Sequence, residues 1–206
     1  MKKLILVAGD LACGKSTFCG QLSARFDVPV FYKDTIKEVL GDTIGFANRE
    51  ENLKLSVATF GLLRHIFLQF AALGHDLILE SNFRQHELEE MKALAAAHGY
   101  EVLVLVLRAD LAVLHKRYLH RISDENRHPV HRVSTFNSYE GFCDYVESTR
   151  LQLGADEAVH ICADDFSYQT DESLLGKIAS FLSLNRINAI KRTGNRPFSF
   201  LQRSLI

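Results

Sequence analysis

Eight residues near the amino end, Gly9-Asp10-Leu11-Ala12-Cys13-Gly14-Lys15-Ser16, set two glycines, a lysine and a hydroxyl at the spacing of a phosphate-binding loop. The glycines let the backbone curl so that successive N–H groups point inward at phosphate oxygens. Lys15 then reaches the outer phosphates as a point charge, the Ser16 hydroxyl is placed to hold Mg²⁺, and Thr17 follows it in the same turn. A helix reading over Lys15 to Phe26 adds its positive end to the same anion. This order predicts binding of a nucleoside triphosphate through residues 9–17. Cys13 lies inside the loop and has two readings: an oxidation-sensitive thiol beside a helix N-terminus, or a small residue that fits.

Phosphate binding alone does not define a reaction, so the polar residues at the other strand ends carry the rest. Asp34 ends the segment Val28-Pro-Val-Phe-Tyr-Lys-Asp. With Thr35 as helix cap, Asp34 stands free to take a proton from a substrate hydroxyl or to hold Mg²⁺ through water; the alternative is that Asp34 is itself the cap. Lys33 and Lys37 bracket it, either orienting an acceptor or simply solvated. Glu80 closes the apolar run Leu77-Ile-Leu and reads as a carboxylate offered to the metal shell, or as a charged residue where a strand meets water. Asn82 and Arg84 follow in a polar turn and, with Asp34 and Lys37, form the set expected to face an acceptor. Arg117 and Arg121 fall four apart on one helix face, ahead of the aperiodic stretch Ile122 to Arg132. With Arg127 they read as a lid, about 117–137, that neutralises charge on a transferred phosphoryl group and excludes water; a solvated helix end is the bland alternative.

These residues need a scaffold that brings strand ends together. Leu4–Ala8, Val28–Tyr32, Asp76–Glu80, Glu101–Leu107 and Ala158–Cys162 read as short strands buried on both faces. Between them the apolar spacing turns helical: Phe60, Leu63, Phe67 and Phe70; Leu88, Met91 and Ala95; Leu111, Leu114 and Tyr118; and, more weakly, Phe142, Tyr145 and Thr149. Asn48 with Glu51 and Thr35 with Glu38 have capping-box spacing, and Gly74 and Gly99 sit where helix-ending glycines belong. Strand alternating with helix predicts a three-layer α/β sandwich.

The chain has 206 residues, 47% hydrophobic and 24% charged, with a formal net charge of −1. That suits one domain, expected over residues 1–185, and offers no basic excess for coating nucleic acid. No segment approaches the length of a membrane span. The four cysteines show neither metal-finger nor disulfide rhythm, so a reducing, cytoplasmic location is expected. Residues 186–206 carry Arg186, Lys191, Arg192, Arg196 and Arg203 and no acidic residue. They read as a loosely docked tail, or as a basic strip for a phosphorylated substrate, RNA or a partner.

Taken together, the loop, the segment Lys33-Asp34-Thr-Ile-Lys37-Glu38, the segment Leu79-Glu80-Ser-Asn82-Phe83-Arg84 and the Arg117/Arg121 to Arg127-His-Pro lid resemble the P-loop kinases of the nucleoside monophosphate kinase-like group. The resemblance is greatest to the branch holding polynucleotide 5′-kinases, zeta-toxin and chloramphenicol phosphotransferase-like proteins, and spans residues 3 to 184. It implies a five-stranded parallel sheet in the order 2-3-1-4-5, ATP and Mg²⁺ as cofactors, transfer of the γ-phosphoryl group to a hydroxyl of a small-molecule or nucleotide-like acceptor, and Asp34 as the acceptor-side aspartate. Two positions depart from the pattern: Lys37 stands where relatives often carry arginine, and Glu80 where they tend to carry aspartate. The alternatives are a 5′-hydroxyl polynucleotide kinase, motivated by the basic tail, and a nucleotide-switched ATP-binding protein with little turnover.

Overall fold

Strand β1 (Lys2–Gly9) alternates between two cores, and that alternation organises the molecule. The computed structural model describes residues 1–123, 127–132, 136 and 138–182. Ile5 and Val7 point into a core shared with Phe18 and Leu22 of α1 (Lys15–Phe26), Leu114 and Tyr118 of α5 (Leu111–Ile122), Phe142 and Val146 of α6 (Tyr139–Thr149) and Ile178 of α7 (Glu172–Phe181). Leu4, Leu6 and Ala8 point the other way, onto Leu63 and Phe67 of α3 (Arg49–Leu73) and Leu88 and Met91 of α4 (Gln85–Ala97). All five β1 side chains from Leu4 to Ala8 are fully buried, and each larger one contributes about 1.5–3 kcal/mol of transfer free energy.

The remaining strands are β2 (Val30–Tyr32), β3 (Leu77–Glu80), β4 (Tyr100–Arg108) and β5 (Val159–Cys162), all paired in parallel in the order 2-3-1-4-5. This is the α/β order implied by the resemblance. Register sets the site. Tyr32 pairs with Glu80, and Glu80 with Val7, so the carboxyl ends of β2, β3 and β1 meet at one edge. Asp34, Glu80 and the loop after Gly9 are thereby neighbours.

The helix of the phosphate loop runs over the residues expected. Gly74 caps α3 in the left-handed conformation, and Gly99 follows α4 at φ 72°. Three local expectations are corrected. Thr35 caps nothing: β2 passes directly into α2 (Lys33–Ile44), its flanking residue is Tyr32, and Asp34 stands in the first turn. Asn48 does cap α3, accepting from the Glu51 N–H at 3.0 Å, but the Glu51 carboxylate returns to the Ala47 N–H rather than to that of Asn48. In α6 the buried stripe is Phe142 and Val146, while Tyr145 and Thr149 are half-exposed.

Helix α3 also corrects the reading that no segment is long enough for a membrane span, since its 25 residues reach a mean hydropathy of 1.4 over the most apolar window. Leu63 and Phe67 on this helix are wholly buried and Arg64 pairs with Glu90 of α4 at 2.9 Å, whereas Leu53, Val57 and Leu73 are exposed.

Candidate functional site

The phosphate loop has the backbone that only its glycines allow. Gly9 takes φ 135°, and a Cβ there would collide with the Leu107 carbonyl of β4. Gly14 takes φ 95°, where a Cβ would lie 2.8 Å from the Phe166 ring and the Tyr168 hydroxyl. Ala12, at φ 64°, accepts the left-handed region without a glycine, a strained choice of the kind found at binding loops. Two distant residues brace the loop. The Tyr168 hydroxyl donates to the Cys13 carbonyl at 3.3 Å. Arg150 donates to both oxygens of the buried Asp10 carboxylate at 3.1 and 2.7 Å, while the Ala109 N–H donates to the same group. Asp10 therefore serves the loop as an internal anchor, its side chain turned to Arg150. Cys13 is fully buried and burial pushes its thiol up, opposed by Lys15, so the packing reading of this cysteine fits and the reactive one does not.

Lys15 is 7% exposed and donates to the carbonyls of Gly9 at 3.1 Å and Asp10 at 2.8 Å. Burial opposes its charge, yet Cys13, Glu80 and Asp34 outweigh burial and hold the ammonium above its ordinary value. The Ser16 hydroxyl donates to Glu80 Oε2 at 3.3 Å. Glu80 is 4% exposed; burial drives its carboxyl up to about 7, and Asp34 adds to that, against the pull of Lys15, Ser16 and Arg121. One cleft of about 750 Å³ is lined by the loop from Leu11 to Thr17, by Asp34, Glu80 and Asn82, and on the far wall by α5 and Phe166.

The lid arginines separate. Arg117 and Arg121 both line the cleft. Arg117 is held by the loop after β5, donating to the Ala163 and Asp164 carbonyls at 2.6 Å each, with its guanidinium 3.9 Å from the Phe166 ring centroid. The charge that acts on Lys15 and Glu80 is that of Arg121. Arg127 is not among the residues that line the cleft; burial, followed by the like charge of Arg121, lowers its guanidinium against the pull of Asp34. Lys37 is turned to Asn52 Oδ1 at 2.7 Å. Asn82 lines the cleft, whereas Arg84 lies over the Tyr145 ring at 5.9 Å beside a smaller hollow. Lys33 pairs with Glu87 at 3.5 Å. The basic segment 186–206 and lid positions 124–126, 133–135 and 137 lie outside the described residues.

Sequence reasoning missed Asn52, Arg150, Phe166 and Tyr168. Asn52 had a signal: it falls on the buried stripe of α3 with Leu55 and Thr59, where a buried amide must find partners. Phe166 follows the last strand, at the sheet edge where ligands gather, and takes φ 63° while 41% exposed. Arg150 and Tyr168 are defined only by contacts made across the fold.

The donor set fits a nucleotide with magnesium. Inward backbone, a charged buried lysine and a helix N-terminus suit phosphates. Ser16 and Glu80 are oxygen ligands of the kind Mg²⁺ takes, one or two from protein and the rest from phosphate and water. Accordingly, no cluster of three or more His, Cys, Asp or Glu is needed, and none occurs among the described residues.

Comparison with solved structures places the fold among P-loop kinases. A candidate kinase from Chloroflexus aurantiacus superposes with a TM-score of 0.70 at 28% identity, covering 87% of this chain and 97% of that one. A gluconokinase from Sinorhizobium meliloti gives 0.57 at 12% identity, over 93% and 98% of the two chains. An APS kinase from Mycobacterium tuberculosis, solved with AMPPNP and APS, gives 0.57 at 14% identity, over 88% and 98%. No curated protein matches the sequence significantly. The model of one family, described as an AAA domain, matches residues 4–138, more than half of the sequence, and to that family the chain belongs.

Proposed function

We propose that this protein is an ATP- and Mg²⁺-dependent phosphotransferase acting on a hydroxyl of a small molecule. The observation that carries the reading is the sharing of one cleft by the phosphate loop, the Ser16–Glu80 pair and Asp34. A carboxylate in the same cleft as the phosphate loop suits a transferase, which needs a group there to receive the acceptor proton.

When bound, the nucleotide and its magnesium ion supply the transferable phosphoryl group and neutralise part of its charge. The residues of this chain do the rest. Lys15 and the loop N–H groups fix the phosphates in line; Ser16 and Glu80 hold the metal side. Asp34 orients the acceptor hydroxyl and takes up its proton. Arg121, whose charge already acts on Lys15 and Glu80, stabilises negative charge as it spreads over the phosphoryl oxygens. Arg117 and Phe166 offer a flat, cationic wall for the nucleobase.

The test is ATP consumption with Mg²⁺ across nucleosides, sugars, hydroxy acids, aminoglycosides and 5′-hydroxyl oligonucleotides. An acceptor that stimulates turnover in the wild type and leaves Asp34→Asn at background supports the reading. Tight ATP binding with no stimulation by any acceptor class counts against it.

A further inference from the structure

Where lid segment 127–132 meets α2 and α3, polar side chains serve one another. His128 Nε2 lies 2.9 Å from Asp42 Oδ1, and His131 Nε2 lies 2.8 Å from Glu38 Oε1. The Val130 carbonyl accepts from Asn52 Nδ2 at 2.9 Å, and the oxygen of the same amide accepts from Lys37. Beyond Asn82 the arrangement is different. Leu11 and Asn82 line both the cleft and the smaller hollow, so the two spaces adjoin across those side chains. The hollow is set at the carboxyl ends of β1, β3 and β4 and is closed by the end of α6. Its volume is about 20 Å³, a little above the roughly 10–15 Å³ that one water needs, so it takes the end of a small group and not a ring.

Three guanidinium groups line this hollow: Arg84 from the turn after β3, Arg108 from the last position of β4 and Arg150 from the residue after α6. Among the described residues, Asp10 is the only acid lining it, and both of its oxygens are taken by Arg150 and the Ala109 N–H. Arg108 gives Nη2 to the Leu151 carbonyl, while its Nε is sealed from solvent with no acceptor. Arg84 is exposed, lies over the Tyr145 ring and makes no ion pair among the described residues. A sealed guanidinium nitrogen without an acceptor is costly, and native structures keep such groups for a reason. Two of the three cations at the hollow are thus left without a carboxylate.

Building on the phosphotransferase reading, we propose that the hollow receives an anionic group of the acceptor, a carboxylate or a phosphate, held by Arg84 and Arg108. The substrate is then a hydroxylated anion and not a neutral alcohol. Its body passes Asn82, its hydroxyl stays in the cleft with Asp34, and its oxyanion meets planar donors matched to either group. Arg150 takes no part in this, because its fork is committed to Asp10 and so to the phosphate loop. A neutral alcohol leaves both free arginines unpaired, and that is the basis of the discrimination.

The experiment uses the full chain saturated with Mg²⁺ and a non-hydrolysable ATP analogue, so that the phosphate loop is filled. Inorganic phosphate and acetate are titrated at constant ionic strength while NMR follows the arginine Nε–H signals, assigned through Arg84→Lys and Arg108→Lys. The expected result is a saturable shift of the Arg84 and Arg108 signals with at least one anion. Its affinity weakens about tenfold in Arg84→Met, an exposed position that carries little risk to folding, and recovers partly in Arg84→Lys, with analogue affinity unchanged. No saturable shift at these two signals, or equal anion affinity in Arg84→Met, means that the hollow holds water only and overturns the proposal. Failure of the analogue itself to bind removes the phosphotransferase reading instead. A second arm compares sugar acids and sugar phosphates with their parent sugars as acceptors. Turnover confined to one anionic class, with the acceptor KM raised and kcat kept in Arg84→Met, supports the proposal and names the anion; equal kcat/KM for the neutral parents overturns it.

Discussion

At the phosphate end of the cleft, the contacts are buried and close to one another in space: Lys15 on two carbonyls, Asp10 between Arg150 and the Ala109 N–H, Tyr168 on Cys13. At the acceptor end they are polar and reach toward solvent: His128 with the exposed Asp42, His131 with the half-exposed Glu38, and the half-exposed Lys37 with the buried Asn52. Strand β2 there has only three residues, none fully buried, and α2 buries Gly41 alone. The phosphates of a nucleotide are the same in every turnover, so their site gains from groups that need no rearrangement. An acceptor must enter and leave, and weak, solvent-facing fasteners let a cover open at small cost.

Breaking the buried end should have the largest effect. Lys15→Ala is expected to lower phosphoryl transfer by about 10³-fold or more with an unchanged circular dichroism spectrum; activity within tenfold of wild type would erase the distinction between the two ends. Glu80 sharpens the contrast through pH. Its carboxyl rises from the ordinary 4.5 to about 7 on burial, so between those values the folded protein keeps a proton that the unfolded chain has released. Stability of the ligand-free protein is then greatest below about pH 4.5 as far as this group acts, and falls by on the order of 3 kcal/mol as the pH rises to 7. Urea midpoints of wild type and Glu80→Gln across that range measure it, and parallel curves would remove the effect. Asp10→Ala strands Arg150 and the Ala109 N–H, and should cost about 3 kcal/mol of unfolding free energy.

Smaller effects are expected at the acceptor end. Asn52→Ala cuts both the Lys37 and the Val130 bonds, and should raise the acceptor KM by about tenfold while leaving the ATP KM within about twofold. His131→Ala removes one half-exposed pair and should cost below about 1 kcal/mol by urea denaturation. A loss as large as that of Asp10→Ala would mean that the two ends are equally rigid.

The same contrast decided what could be read from the amino acids. The loop was legible because its residues are consecutive and their backbone demands are local: Gly9, Gly14 and Lys15 carry their reasons in eight positions. Glu80 was legible because an apolar run ending in a carboxylate is a pattern in four. Thr35 misled because a cap presupposes a loop before the helix, and Tyr32 leads into Lys33 without one. The Asp10–Arg150 and Cys13–Tyr168 bonds join residues 140 and 155 positions apart, and no local spacing encodes them. Arg127 was read as one of three equivalent lid arginines; only the packing of 128–131 on α2 distinguishes its surroundings from those of Arg117.

The Tyr168 bond bears on biosynthesis. A ribosome makes residues 9–16 almost at once, but the hydroxyl that braces Cys13 and the ring that packs on Phe18 are synthesised more than 150 residues later. Until then the loop lacks its support, and β4, which pairs with β1 along its whole length, is itself made only from residue 100 onward. Nucleotide affinity should therefore be acquired late in translation, after β5 has emerged, so that the nascent chain neither captures ATP prematurely nor draws stability from it during the period when its apolar strand is most open to misassociation.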